Sequence, residues 1–164
     1  MTVDYISKAS DICNRIYRAH DGAIRVDRGN PVWFDQASSK IALIAGGNDV
    51  LYVDHSIGRT GEGVGTIVAF TQDVLIVIEI DESVSKLEAP TRIISRRDLR
   101  ALEIDTVTNA IGHSGKQYPN RIGATLTYSA DKFALPYVHA DLQLCAEFAA
   151  LLPSLAADVG QPTL

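Results

Sequence analysis

The stretch Gly63–Asp81, GVGTIVAFTQDVLIVIEID, constrains the fold more than any other part of the chain. Strand side chains alternate between two faces, so apolar residues recurring with period two mark a sheet. Val64, Thr66, Val68 and Phe70 fall on one side, with Ile67 and Ala69 on the other. After Thr71-Gln72-Asp73, Val74, Ile76, Ile78 and Ile80 form one apolar side. Leu75 and Val77 occupy the other before it turns acidic at Glu79 and Asp81. The segment reads as an antiparallel hairpin with one well-defined core face and a second face covered near the turn.

The same period recurs on both sides of the hairpin. VLYVDHSI, from Val50, reads as a strand, and GRTGEGVG as the loop that leads into the next one. Arg92 to Ser95 is a strand, followed by a kink near Asp98 and a strand through Leu102, Ile104 and Thr106. RIGATLTYS and KFALPYV form a last hairpin about Ser129-Ala130-Asp131. The period is helical at the two ends. Val3, Ile6, Ala9, Cys13, Ile16 and Tyr17 predict a helix over Val3–Ala19 with Thr2 as N-cap. Asp35 is expected to cap a second helix through Ile41 and Ala45, which Gly46 ends. Trp33 and Phe34 are placed before that helix, as anchors to the core. HADLQLCAEFAALLPSL carries a broad apolar face, and Pro153 is expected to weaken its end. The element order predicts an α+β fold of about seven antiparallel strands, a closing helix and an N-terminal helical segment.

Composition sets limits on function. The net charge of −5 opposes general affinity for nucleic acids or anionic membranes, which is driven by Lys and Arg. No apolar run approaches the length of a membrane span. The N-terminal MTVDYISKAS has neither a basic nor an apolar leader region, so a cytoplasmic location is expected. Cys13 and Cys145 fit neither a disulfide framework nor a zinc spacing. Buried thiols on two helices are the expectation, with a disulfide joining the helices as the alternative.

Three local features resemble the pleckstrin-homology-like superfamily, especially its small bacterial PH-like and GRAM-like domains. LIAGGNDVLYVDHSI looks like the family's small-residue turn into the first strand, and GTIVAFTQDVLIVIEID like its second and third strands. SRRDLRALEID is similar to the segment that leads into a later strand, and ADLQLCAEFAALLPSL sits where the family's helix caps its barrel. The resemblance covers residues 42–155. It implies a split barrel of about seven strands over 48–155, capped by the C-terminal helix. Residues 1–47 are then a helical extension and 156–164 a flexible tail. The family hosts lipid-headgroup binding, peptide binding and scaffolding, so the fold alone does not choose a function. Its phosphoinositide-binding members use basic residues on the loop after the first strand. Here that loop offers Arg59 offset by Glu62, which speaks against this ligand.

The functional expectation is a non-enzymatic interaction or scaffolding module with no cofactor. It would bind a protein partner or a second copy of itself through a sheet edge, the basic strand near Arg96 or the N-terminal segment. The alternative is a site for a small anion or lipid headgroup at Arg92, Arg96 and Arg100, with Arg59, because guanidinium groups pair with phosphate and carboxylate. These arginines also fit a solvated face paired with Glu88, Asp98 or Glu103. A hydrolase using Ser114 in GHSG is the remaining reading. Its elbow lacks the second glycine, since position 116 is Lys. His20, His55, His113 and His139 show no metal spacing and are expected at the surface or at helix ends.

Overall fold

The structure is a computed structural model that describes residues 3–19, 32–58, 63–82, 89–111, 118–137 and 141–160. Among the described residues are three helices and seven strands in two antiparallel sheets, an α+β fold. The chain divides into two compact units, Met1–Ile94 and Ser95–Leu164.

The first unit carries α1 (Tyr5–Arg18), α2 (Val32–Ala45), β1 (Tyr52–His55), β2 (Val64–Phe70), β3 (Val74–Asp81) and β4 (Thr91–Ser95), whose last residue opens the second unit. The cap of α1 is Asp4, whose carboxylate accepts from the Ser7 N–H at 3.0 Å, and not Thr2, which lies outside the described residues. Helix α2 starts at Val32, three residues before the expected cap, so Trp33 and Phe34 belong to the helix. Phe34, Ala37, Ile41, Ala42 and Ala45 form one buried stripe, and burying Phe34 draws the helix start back. Asp35 falls in the first turn, where a carboxylate complements the helix dipole. Gly46, with φ of 55°, takes the left-handed conformation that ends the helix, as expected. The ammonium of Lys8 on α1 donates to the carbonyls of Gly46, at 2.7 Å, and Asn48, holding α1 to the end of α2.

The four-stranded sheet runs β1-β2-β3-β4. Phe70 faces Leu75 across the hairpin turn, where Thr71 Oγ1 accepts from the Val74 N–H at 3.1 Å. The register puts Val53, Ile67, Ala69, Ile76, Ile78 and Ile80 on one face. That face packs against Ile12 and Ile16 of α1 and Phe34, Ala37 and Ile41 of α2. Each of the Val, Ile and Phe side chains contributes roughly 1.5–3 kcal/mol on burial, so this shared face stabilises the unit strongly. Tyr52, Val68, Phe70, Leu75 and Val77, on the opposite face, are buried as well.

His55 is a correction to its expected surface position. It is 1% exposed, and its Nε2 lies 3.0 Å from the Ile16 carbonyl of α1. A carbonyl can only accept, so Nε2 carries the proton, and Nδ1 accepts from the Ile57 N–H at 3.3 Å.

The second unit continues with a 3-10 turn (Arg96–Asp98), β5 (Ala101–Val107), β6 (Ile122–Thr127), β7 (Lys132–Leu135) and α3 (Leu142–Asp158). Its sheet runs β5-β6-β7. Asp141 caps α3 by accepting from the Leu144 N–H at 2.8 Å. The helix buries Leu144, Cys145, Phe148, Leu151 and Leu155, and it packs on β6 and the 3-10 turn. It runs through Pro153 to Asp158, beyond the point where the tail was expected to begin.

The split barrel implied by the resemblance is matched only at the level of seven antiparallel strands and a C-terminal helix. The strands fall into sheets of four and three, and these sheets do not close. The ladder stops where the chain turns. Ser95 Oγ accepts from the Arg97 N–H at 3.3 Å, and the Leu99 N–H donates to the Arg96 carbonyl at 3.1 Å, so the backbone bonds locally between β4 and β5.

Both cysteines are free thiols in this structure. Cys145 is buried, and the partly buried Cys13 donates to Ser38 Oγ at 3.1 Å. Burial is the largest influence on the Cys13 thiol and pushes its pKa up, with Ser38 opposing and the Asp35 carboxylate reinforcing.

Gly65 is required by close approach: a Cβ there would lie 2.6 Å from the backbone of Ile57. Gly47 has nothing within 4 Å of its Cβ position. Gly65→Ala should cost roughly 1–3 kcal/mol in urea unfolding, as overpacking does. Gly47→Ala should stay within about 0.5 kcal/mol of the parent protein. Equal stabilities for the two variants would contradict this packing.

Candidate functional site

Three of the four expected arginines, Arg92, Arg96 and Arg100, fall among the described residues. Arg92 is exposed on β4 and pairs with Glu79 of the neighbouring strand at 3.3 Å. Arg96 is 2% exposed. Its Nε donates to Asp158 Oδ2 at 2.9 Å, and its Nη2 donates to the same oxygen at 2.6 Å and to Ser154 Oγ at 2.9 Å. Arg100 is exposed, and its backbone N–H donates to the Thr127 carbonyl at 2.8 Å. Arg59 lies outside the described residues, as do His20, His113, Ser114 and His139.

Arg96 is thus a buried strut between the 3-10 turn and the last turn of α3. Asp158 sits at the negative end of the helix dipole, where a carboxylate is unfavourable without a cation beside it. The pair spans 62 positions of sequence, so no local pattern announces it. Tyr128, also buried, shows a hydroxyl without a hydrogen-bond partner, and burial pushes its phenol pKa up.

An open pocket of about 410 Å³ borders the start of α1, lined in part by Asp4, Lys8, Asp11 and Asp49. Lys8 is already committed to two carbonyls there. Among the described residues, no group of three or more His, Cys, Asp or Glu side chains is placed to hold a metal ion. Nor is any helix of the described residues long and apolar enough to cross a membrane.

The open sheets leave a different kind of feature: unpaired strand edges, which can pair with another chain. Helix α1 packs against β1. Arg15 Nη2 donates to the Leu51 carbonyl at 3.0 Å, Nη1 donates to the Val50 carbonyl, and His55 bonds to Ile16. Strand β4 has five residues and follows Pro90. Strand β7 has four, carries the exposed Lys132 and is followed by Pro136, two features that blunt an edge. Among the described residues no further strand pairs with β5 on its outer side; it has seven residues, a bulge and the exposed acids Glu103 and Asp105, but neither Lys nor Pro.

That bulge sets the chemistry of the edge. Leu102 and Ile104 pair with Leu126 and Ala124, but the register then shifts, so Val107 pairs with Ile122. Ile122, Ala124 and Leu126 share one face of β6. Leu102, Ile104 and Val107 therefore line that same apolar face, although their spacing in sequence breaks parity. Ile122, Ala124, Leu126, Phe133 and Leu135 are buried on it, whereas Ile104 and Val107 are each 52% exposed. The opposite face carries Glu103, Thr106, Thr125 and Thr127. The bulge residue, Asp105, joins it by accepting from Thr125 Oγ1 at 2.7 Å. The Thr108 N–H donates inward to the Arg121 carbonyl at 3.0 Å, so strand alternation turns the Val107 N–H outward, to the free edge.

The sequence expectation missed the bulge and placed Thr106 in line with Leu102 and Ile104. The apolar residues at 102, 104 and 107 were the available signal, since an extra residue in one strand produces that break in parity.

Compared with protein-family models, curated proteins and solved structures, the chain matches none.

Arg96→Met should remove the strut and leave Asp158 without its cation. A loss of roughly 3–5 kcal/mol, read as a lower urea midpoint, is expected from breaking such a pair. Arg100→Met, at an exposed position, should change stability by less than about 0.5 kcal/mol. Equal stability of the Arg96 and Arg100 variants would contradict the assigned role of Arg96.

Proposed function

We propose that this chain is a non-enzymatic protein-interaction module of PH-like fold, and that it works by receiving a strand of a partner at β5. The observation that carries the reading is the edge itself: seven residues long, with Ile104 and Val107 about half exposed on the apolar face of the sheet. An added strand would satisfy outward N–H and C=O groups and cover those two side chains together, which is how edge addition gains affinity. The order of four strands, three strands and a closing helix supports the PH-like part of the reading. The alternative of an anion or headgroup site is weaker, because Arg96, its central anchor, is buried and engaged with Asp158. Catalysis by the described histidine is disfavoured too, because both ring nitrogens of His55 are held by the backbone.

A photoreactive phenylalanine analogue at position 104 tests this directly in cells that produce the protein. Leu43 on α2, 68% exposed, serves as the control position. A discrete protein adduct from position 104, absent from position 43 and lost when Val107→Lys is added, is the expected result. No adduct at 104, or the same adducts from both positions, would contradict the reading.

A further inference from the structure

We infer that the strand received at β5 is a basic one: an extended segment of a partner protein in which Lys or Arg alternates with aliphatic residues. The inference rests on the proposed strand-receiving function and specifies the chemistry of the partner. A strand paired with β5 presents its side chains alternately to the two faces of the sheet. On one face they meet Leu102, Ile104 and Val107, so that half of the partner must be apolar. On the other they meet Glu103 and Asp105, both exposed, and no cationic residue occurs between Ala101 and Val107. Opposite charges across a strand pair stabilise it and like charges oppose it. Arg100 precedes the strand and meets only the end of an added segment. The bulge contributes to the pattern, because Thr125 holds Asp105 on the same face as Glu103.

The same charges disfavour a second copy of this chain as the occupant. An antiparallel pairing of two β5 strands about a two-fold axis at Ile104 sets Glu103 of each copy beside Asp105 of the other. That arrangement places four carboxylates on one face of the joined sheet. A nucleic acid would meet the same acidic pair and be repelled.

The test uses the full chain and two fluorescein-labelled heptapeptides, one alternating lysine with valine and one alternating glutamate with valine. Binding is read by fluorescence anisotropy at physiological salt and located by amide shifts in NMR spectra. The lysine peptide should bind about tenfold or more tighter than the glutamate peptide, with the largest shifts on β5. The paired substitutions Glu103→Lys and Asp105→Asn should abolish that preference; the Asn keeps an acceptor for Thr125. Asp11→Lys, on the exposed side of α1, changes the net charge in the other unit and should leave the preference intact. An unchanged melting temperature in each variant shows that the fold is kept. Equal binding of the two peptides at β5 would overturn the basic-partner inference and leave the strand-receiving function standing. So would a partner adduct from position 104 when neither peptide binds, or a Glu103-dependent dimer of the chain. Loss of preference in the Asp11 variant would reduce the effect to net charge and overturn the inference. Absence of both peptide binding and a position-104 adduct would overturn the inference and the function together.

Discussion

An antiparallel sheet that does not close leaves two rows of unpaired amides and carbonyls, and the architecture of this chain follows from where those rows go. In the first unit α1 packs against β1. The contact is polar as well as apolar, because Arg15 reaches the carbonyls of residues 50 and 51 while His55 reaches back to Ile16. The N-terminal helices are therefore not an appendage of this unit. Ile12 and Ile16 share a core with Val53, Ile67 and Ile76. In the second unit β7 is short and ends at a proline. Strand β5 is longer, and its Ile104 and Val107 are half exposed. The proposed function lies in that difference between the edges.

Much of the fold was legible because its strands are amphipathic or doubly buried. The hairpin of β2 and β3 could be read from period two alone, and its register follows from Thr71, whose hydroxyl orders the turn. The helix starts were harder to place. Asp35 has the chemistry of a cap, but Phe34 is buried, and tertiary burial outweighs a capping preference of about 1 kcal/mol. The closing helix passes Pro153 for a related reason. Leu155 is buried beyond the proline, and the Arg96 guanidinium holds both Ser154 and Asp158.

The site was legible only in part. A sheet edge was among the surfaces the sequence offered, but the arginines near Arg96 stood out more. Their spacing carried no information about burial. Arg96 is internal because its partner is far along the chain, and an ion pair of that separation leaves no periodic trace. Arg92 and Arg100 remain at the surface, where exposed charges and their ion pairs contribute little. The apolar line of Leu102, Ile104 and Val107 is hidden for a different reason. A bulge converts an irregular spacing into a continuous face, and Asp105 marks the bulge only through its bond to Thr125. His55 misleads in the same way, because a buried histidine with both ring nitrogens bonded to backbone resembles a surface residue in the sequence.

Strand reception at β5 requires β5 to be an open edge in the free protein. Residue-resolved amide hydrogen exchange of the purified chain measures this most directly. The Thr108 N–H, bonded to the Arg121 carbonyl, should be protected, while the neighbouring Val107 N–H should exchange at a rate close to that of an exposed amide. Equal, strong protection of the two amides would mean that the outer side of β5 is already covered, and would contradict the account.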